Sequence, residues 1–182
     1  MAVPEPTPQE KALRRVLKVS RANGWSVVVV AGLGILLALL LGDLSSVFIG
    51  ALVAFAGGME VRGHKLLRRR DADGLKLLVR SQLFLLTIIL VYCAMRLGSF
   101  DADTVMGSVT PEMEALLKDS GIQRADILPM VRLAFYTLYL TLAIVSLLYQ
   151  GGMALYYRAK GRLVREALAA PLVPPAPNPP LA

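Results

Sequence analysis

The sequence predicts an all-α integral membrane protein: four transmembrane helices as two hairpins, with an N-terminal interfacial amphipathic helix and a short outer-side helix between spans three and four. Two observations lead there. Four uncharged apolar runs, Ala22 to Gly42, Leu44 to Met59, Ser81 to Met95 and Leu133 to Tyr157, divide the chain, and a bilayer core of roughly 30 Å takes about 20 residues of helix. Sixteen of the twenty Lys and Arg residues then fall on one side of the membrane those runs imply.

That distribution sets the orientation, because short loops rich in Lys and Arg stay in the cytoplasm. The arm before the first run carries Lys11, Arg14, Arg15, Lys18 and Arg21. The connection between runs two and three carries Arg62, Lys65, Arg68, Arg69, Arg70, Lys76 and Arg80, and Arg158, Lys160, Arg162 and Arg165 follow the last run. The other side keeps Arg96, Lys118, Arg124 and Arg132 among seven acidic residues. The expected location is the cytoplasmic (inner) membrane, multi-pass, with both termini cytoplasmic. The formal charge of +7 has the same origin. Basic residues flanking spans sit against anionic headgroups at about 1 kcal/mol each, so the lipid bilayer, and no nucleic acid, is the expected partner.

Each element follows from local chemistry. The arm, residues 1–21, opens with Pro4, Pro6 and Pro8, and Thr7-Pro8-Gln9-Glu10 forms a capping box with proline at the first helical position. Ala12, Leu13, Val16, Leu17 and Ser20 fall on one face and Lys11, Arg14, Arg15 and Lys18 on the other, the pattern of a helix lying in the interface. Met1 to Val19 lacks the roughly 7–15-residue apolar stretch of a cleaved leader, so the first span is expected to stay as an anchor. A four-helix bundle is then expected over 22–170, with spans at about 22–42, 44–61, 78–98 and 130–157 and helix four running to about 168. Gly42-Asp43 makes so short a turn that spans one and two must be antiparallel neighbours. Asp71-Ala72-Asp73-Gly74 supplies the next turn. Span three has only 15 uncharged residues, about 22 Å of helix, so Arg80 and Arg96 reach outward along the bilayer edges. In the outer loop, 97–129, Thr110-Pro111-Glu112 begins a short helix that Ser120-Gly121 ends. Six of the twelve residues in 171–182 are proline, which gives an extended tail with no core.

An internal similarity runs through this layout. Phe55-Ala56-Gly57-Gly58-Met59 parallels Tyr149-Gln150-Gly151-Gly152-Met153 at the basic ends of spans two and four, and Arg21-Ala22-Asn23-Gly24-Trp25 parallels Arg80-Ser81-Gln82-Leu83-Phe84 where spans one and three begin. A duplicated helical hairpin produces this pattern, the second unit carrying about 35 more residues of outer loop.

Candidate sites are few. Gly50, Ala54, Gly57 and Gly58, with Gly151 and Gly152 in span four, are small residues that let another helix approach, and are read as helix-packing positions. Glu60 is the nearest approach to an intramembrane acid; with Arg62 beside it in sequence, it is read as a rim ion pair, or alternatively as a transport residue. Lys65, Arg68, Arg69 and Arg70 are read as anionic-lipid contacts. Asp101 and Asp103 read as a solvated loop, and Pro171-Leu172-Val173-Pro174 as a tail with PxxP spacing. Cys93 is the only cysteine and His64 the only histidine, too few for a disulfide, redox pair or metal site. No nucleophile constellation, phosphate loop or paired haem histidines occur, so no catalytic, cofactor or metal site is expected. The expected function is that of a non-enzymatic helix-bundle anchor or assembly subunit that pairs with itself or with another membrane protein. The alternative is a small homo-oligomeric channel or transporter with Glu60 near the cytoplasmic mouth.

Overall fold

The structure, a computed structural model, describes residues 5–102 and 124–170, and between them residues 110, 112, 115, 116, 119 and 121. The short outer helix expected between Thr110 and Ser120, Asp103 and the proline-rich tail lie wholly or largely outside the described residues. Four long helices, α1 (Pro8–Leu40), α2 (Leu44–Arg68), α3 (Asp73–Gly98) and α4 (Arg124–Ala169), build the fold, with no strand among the described residues. All four are long and apolar enough to cross a membrane. Each packs on the next in sequence, and α1 closes on α4.

The first helix begins where the capping chemistry places it. Thr7 N–H donates to Glu10 Oε2 at 3.1 Å while Glu10 N–H donates to Thr7 Oγ1 at 3.3 Å, satisfying two of the amides that the first turn leaves unpaired. From there α1 runs unbroken for 33 residues. The arm is therefore not a separate helix lying in the interface, as its pattern predicted, but the first turns of span one. Its apolar face is covered by protein: Ala12, Val16 and Ser20 are buried. The same i, i+4, i+8 spacing serves either surface, so periodicity cannot separate them.

The turns are built from identifiable residues. Gly42 takes φ +70°, a conformation open to glycine without steric cost. Asp43 then caps α2, accepting from the Ser46 N–H at 3.0 Å and from the Ser46 hydroxyl. Those hydrogen bonds, the side-chain one foremost, hold the Asp43 carboxyl below the usual carboxylate range. At the opposite end Arg70 has φ +62°, which costs a non-glycine residue about 1 kcal/mol or more. Its guanidinium donates to the carbonyls of Ala167 at 2.9 Å, Leu168 at 3.0 Å and Ala170 at 2.6 Å. These are the carbonyls that the end of α4 cannot satisfy itself. Arg70, expected from the sequence as a lipid contact, thus caps the end of α4. Lys65, Arg68 and Arg69 stay exposed.

Burial is uneven along the bundle. Val16, Leu67, Leu75, Leu78, Tyr157 and Val164 form one core at the basic end, each at most 5% exposed. Further along, the helices present apolar side chains outward: Val29, Val30, Leu33, Leu36 and Leu40 on α1, Leu133, Leu138, Ile144 and Leu148 on α4. Such a surface is stable only against hydrocarbon or another apolar helix, and with four such helices the chain is a multi-pass membrane protein. At the acidic-loop end, aromatic residues tie α3 and the segment just after it to α4: Tyr92 meets Tyr139 edge-on at 5.9 Å, and Phe100 meets Phe135 at 5.1 Å. Arg96 folds back so that its Nε donates to the Tyr92 hydroxyl at 3.2 Å.

Candidate functional site

Two helical turns before Leu67, at the edge of the apolar core to which Tyr157 belongs, α2 places Glu60 at the centre of the bundle. It is 1% exposed. Three side chains from three other helices donate to it: Asn23 Nδ2 of α1 at 2.6 Å and Gln82 Nε2 of α3 at 2.8 Å, both to Oε2, and the Tyr157 hydroxyl of α4 at 2.8 Å to Oε1. Asn23 in turn accepts at Oδ1 from the Tyr149 hydroxyl at 2.8 Å. One turn nearer the basic end, His64 Nδ1 shares a 3.2 Å hydrogen bond with Ser20 Oγ, the donor following the imidazole tautomer. The Oε1 atoms of Gln82 and Gln150 are buried without a hydrogen-bond partner among the described residues.

Glycines allow this closure. A Cβ on Gly24 would stand 3.2 Å from Val61 N and 3.3 Å from Glu60 Cβ, and one on Gly57 2.9 Å from Val28 Cγ2. On the α3 side a Cβ on Gly63 would meet Leu78 Cδ2 at 2.9 Å, and one on Gly74 the Gly63 carbonyl oxygen at 2.5 Å. Small residues at helix contacts do in a membrane what they do here: they bring backbones near enough for short side chains to bond across.

The predicted positions divide. Gly50 and Gly57 pack on α1, Gly50 with its Cβ site 2.6 Å from Ile35 Cγ1, and Ala54 is half-buried. A Cβ on Gly58, Gly151 or Gly152 would meet nothing of the chain itself within 4 Å, so the fold supplies no close helix neighbour of its own at these three positions. Glycine content marks where close approach is permitted, not where it occurs. Gly24, Gly63 and Gly74, which do meet neighbours, stand outside the stripe that the sequence drew attention to.

Glu60 and Arg62 do not pair. Two residues apart on a helix, their side chains point to opposite sides, and Arg62 instead lines an exposed groove with Asp73, Lys76 and Arg80. All the hydrogen-bond donors to Glu60 are neutral. Its carboxylate thus sits in a buried site with three donors and, among the described residues, no counter-charge, a state that is costly unless the hydrogen bonds are good or a proton is taken up. One signal for this arrangement was present in the sequence: Asn23 and Gln82 occupy matching positions in the two similar span entrances. In the fold these matched amides converge on the same carboxylate oxygen.

No family model matches the chain, and no curated protein or solved structure matches it significantly. Among the described residues no group of three or more His, Cys, Asp or Glu residues is placed to hold a metal ion.

Proposed function

We propose that the protein is a non-enzymatic anchor of the inner membrane, a helix bundle that assembles with a second copy of itself through α4. In this reading the chain forms two hairpins with the basic end and both termini in the cytoplasm, as positive-inside ordering requires. The observation that carries it is the contrast within α4. Tyr157 and Val164 are fully buried in the core at the basic end, yet only 6% of the helix's membrane-spanning window lies inside the chain's own bundle. Along that uncovered length Ala134, Thr137 and Thr141 line a shallow groove with Met130, Leu133 and Leu138. Small and hydroxyl-bearing residues on a span favour a helix partner over lipid, because they permit close approach and interhelical hydrogen bonding. The Glu60 network then serves as a polar clasp that fixes the register of all four helices, so that the α4 face is presented rigidly.

The test uses Thr141→Cys in a Cys93→Ala background, oxidised in native membranes, with light scattering of the purified parent beside it. A disulfide-linked pair and a dimeric mass are expected. A monomeric mass with no cross-link removes the self-assembly reading.

The neutral surroundings of Glu60 favour a second reading, a small channel or transporter with Glu60 near the cytoplasmic mouth. Proteoliposomes separate the two. pH-dependent flux that Glu60→Gln abolishes while the bundle stays assembled supports transport, and silent liposomes leave the anchor.

A further inference from the structure

Among the described residues, grooves run between neighbouring helices at the basic end, and they differ in chemistry. The α2–α3 groove includes Asp73, whose carboxylate already holds Lys76 at 2.8 Å. The α3–α4 groove is basic but small, about 370 Å³. The α1–α2 groove is about 810 Å³ and is lined by Leu17, Lys18, Arg21, Ala22, Trp25, His64 and Arg68, with no acidic residue. Lys18, Arg21 and Arg68 are exposed, and none of the ion pairs found among the described residues involves them. Both arginines lie within electrostatic reach of His64, whose ring is fixed through Nδ1 by Ser20.

We infer that this groove binds a phosphoryl group, and specifically the phosphate of an anionic phospholipid headgroup. Arginine presents a planar fork that matches phosphate oxygens two at a time. Arg21 and Arg68, from different helices, supply two such forks to one concavity, with the Lys18 ammonium beside them. The groove also has a direction. Trp25, 54% exposed, stands at its edge, and Val29, Leu33, Leu36 and Leu40 continue from it as one exposed apolar stripe along α1. Their spacing of i, i+4, i+8, i+11 and i+15 keeps them on a single face. A headgroup seated on the basic residues thus leads its acyl chain onto that stripe, with the tryptophan at the headgroup level where amphipathic rings collect. Free phosphate shares the headgroup chemistry but makes no use of the stripe.

This site shares only Arg68 with the basic run read from sequence: Lys65 and Arg69, at the same end of α2, lie outside the groove. They provide the control. Full-length protein in neutral detergent is titrated with dihexanoyl phosphatidylglycerol and, separately, with inorganic phosphate, and binding is read by native mass spectrometry and by thermal protection. The probes are applied to the parent, to Arg21→Gln/Arg68→Gln and to Lys65→Gln/Arg69→Gln, which lose equal charge. The lipid should bind the parent and the control pair alike and the groove pair at least about tenfold more weakly. Protection by inorganic phosphate that the groove pair alone abolishes assigns the same site to a soluble phosphoryl ligand and overturns the lipid assignment. Equal weakening in both pairs, or no binding of either probe to the parent, overturns the site. Unliganded thermal unfolding of each variant reads folding separately, and if the double variant unfolds, Arg21→Lys replaces it, keeping charge while removing the fork.

Discussion

Replacing Glu60 in two ways tests whether the centre of the bundle is held by hydrogen bonds or by charge. Glu60→Ala strands three buried donors, Asn23 Nδ2, Gln82 Nε2 and the Tyr157 hydroxyl. Each costs about 1–3 kcal/mol when left unpaired, partly offset because a desolvated carboxylate is removed at the same time. A net loss of about 2–4 kcal/mol follows, against a total stability of roughly 5–15 kcal/mol for a typical domain. Glu60→Gln behaves differently because of how the donors are divided. Both amides approach Oε2, so a glutamine can turn its oxygen toward them and keep both bonds. Its NH₂ then faces Tyr157, whose hydroxyl rotates to accept. All three contacts survive, the buried charge is gone, and the change should lie within about 1 kcal/mol of the parent. For a chain of 182 residues, each kcal/mol moves the melting temperature by roughly 2–4 °C. Thermal unfolding in one detergent should therefore place Glu60→Gln near the parent and Glu60→Ala about 4–16 °C lower. If the glutamine variant melts with the alanine variant, the negative charge itself is required, a cation must neutralise it in the folded protein, and the clasp account is wrong.

Other predictions test the remaining contacts. Gly57→Leu, whose Cβ would already stand 2.9 Å from Val28 Cγ2, should cost about 1–3 kcal/mol by overpacking, while Gly58→Leu, with open space around it, should leave the melting temperature of the isolated protomer unchanged; equal effects would dissolve the distinction. Arg70→Ala should cost about 1–2 kcal/mol by uncovering the last carbonyls of α4, seen as faster hydrogen exchange over residues 162–170 with little change in α1. The Asp43 carboxyl is held low by Ser46, so it adds stability that is present above its unfolded pKa of about 4 and lost as pH falls through the lower folded value. Parent and Asp43→Asn should accordingly differ at neutral pH and converge in acid, and a gap that widens in acid would contradict the assignment. A reporter active only in the cytoplasm should work when fused after Arg70 or Ala170 and fail between Asp101 and Asp119; activity in that acidic loop would invert the proposed orientation.

The sequence by itself determined the number of spans, because a run of uncharged residues long enough to cross a bilayer is a one-dimensional property set by hydration of charge. It also determined the capping box at Thr7 and Glu10 and the turn at Gly42, since those depend on residues three or four apart. What covers a helix face is not local. Ala12, Val16 and Ser20 mark an apolar face in either case, and only the packing of α1 on its neighbours shows that protein rather than lipid covers it. The glycines carry the same lesson: Gly57 touches α1 and adjacent Gly58 touches nothing, because about 100° of helical rotation separates them.

Glu60 shows the limit most clearly. Sequence proximity offered Arg62 as its partner, and helical geometry turns that residue away. Its donors come from positions 37, 22 and 97 residues distant, at separations that no local pattern encodes. The basic run from Lys65 to Arg70 divides in the same way. Composition made it basic, but folding sends Arg70 to cap α4, places Arg68 in the groove with Lys18 and Arg21, and leaves Lys65 and Arg69 outside it. Charge and hydropathy are summed along a chain and can be read from it; the pairing of a buried polar atom depends on which helices meet and at what rotation, and only the tertiary structure decides that.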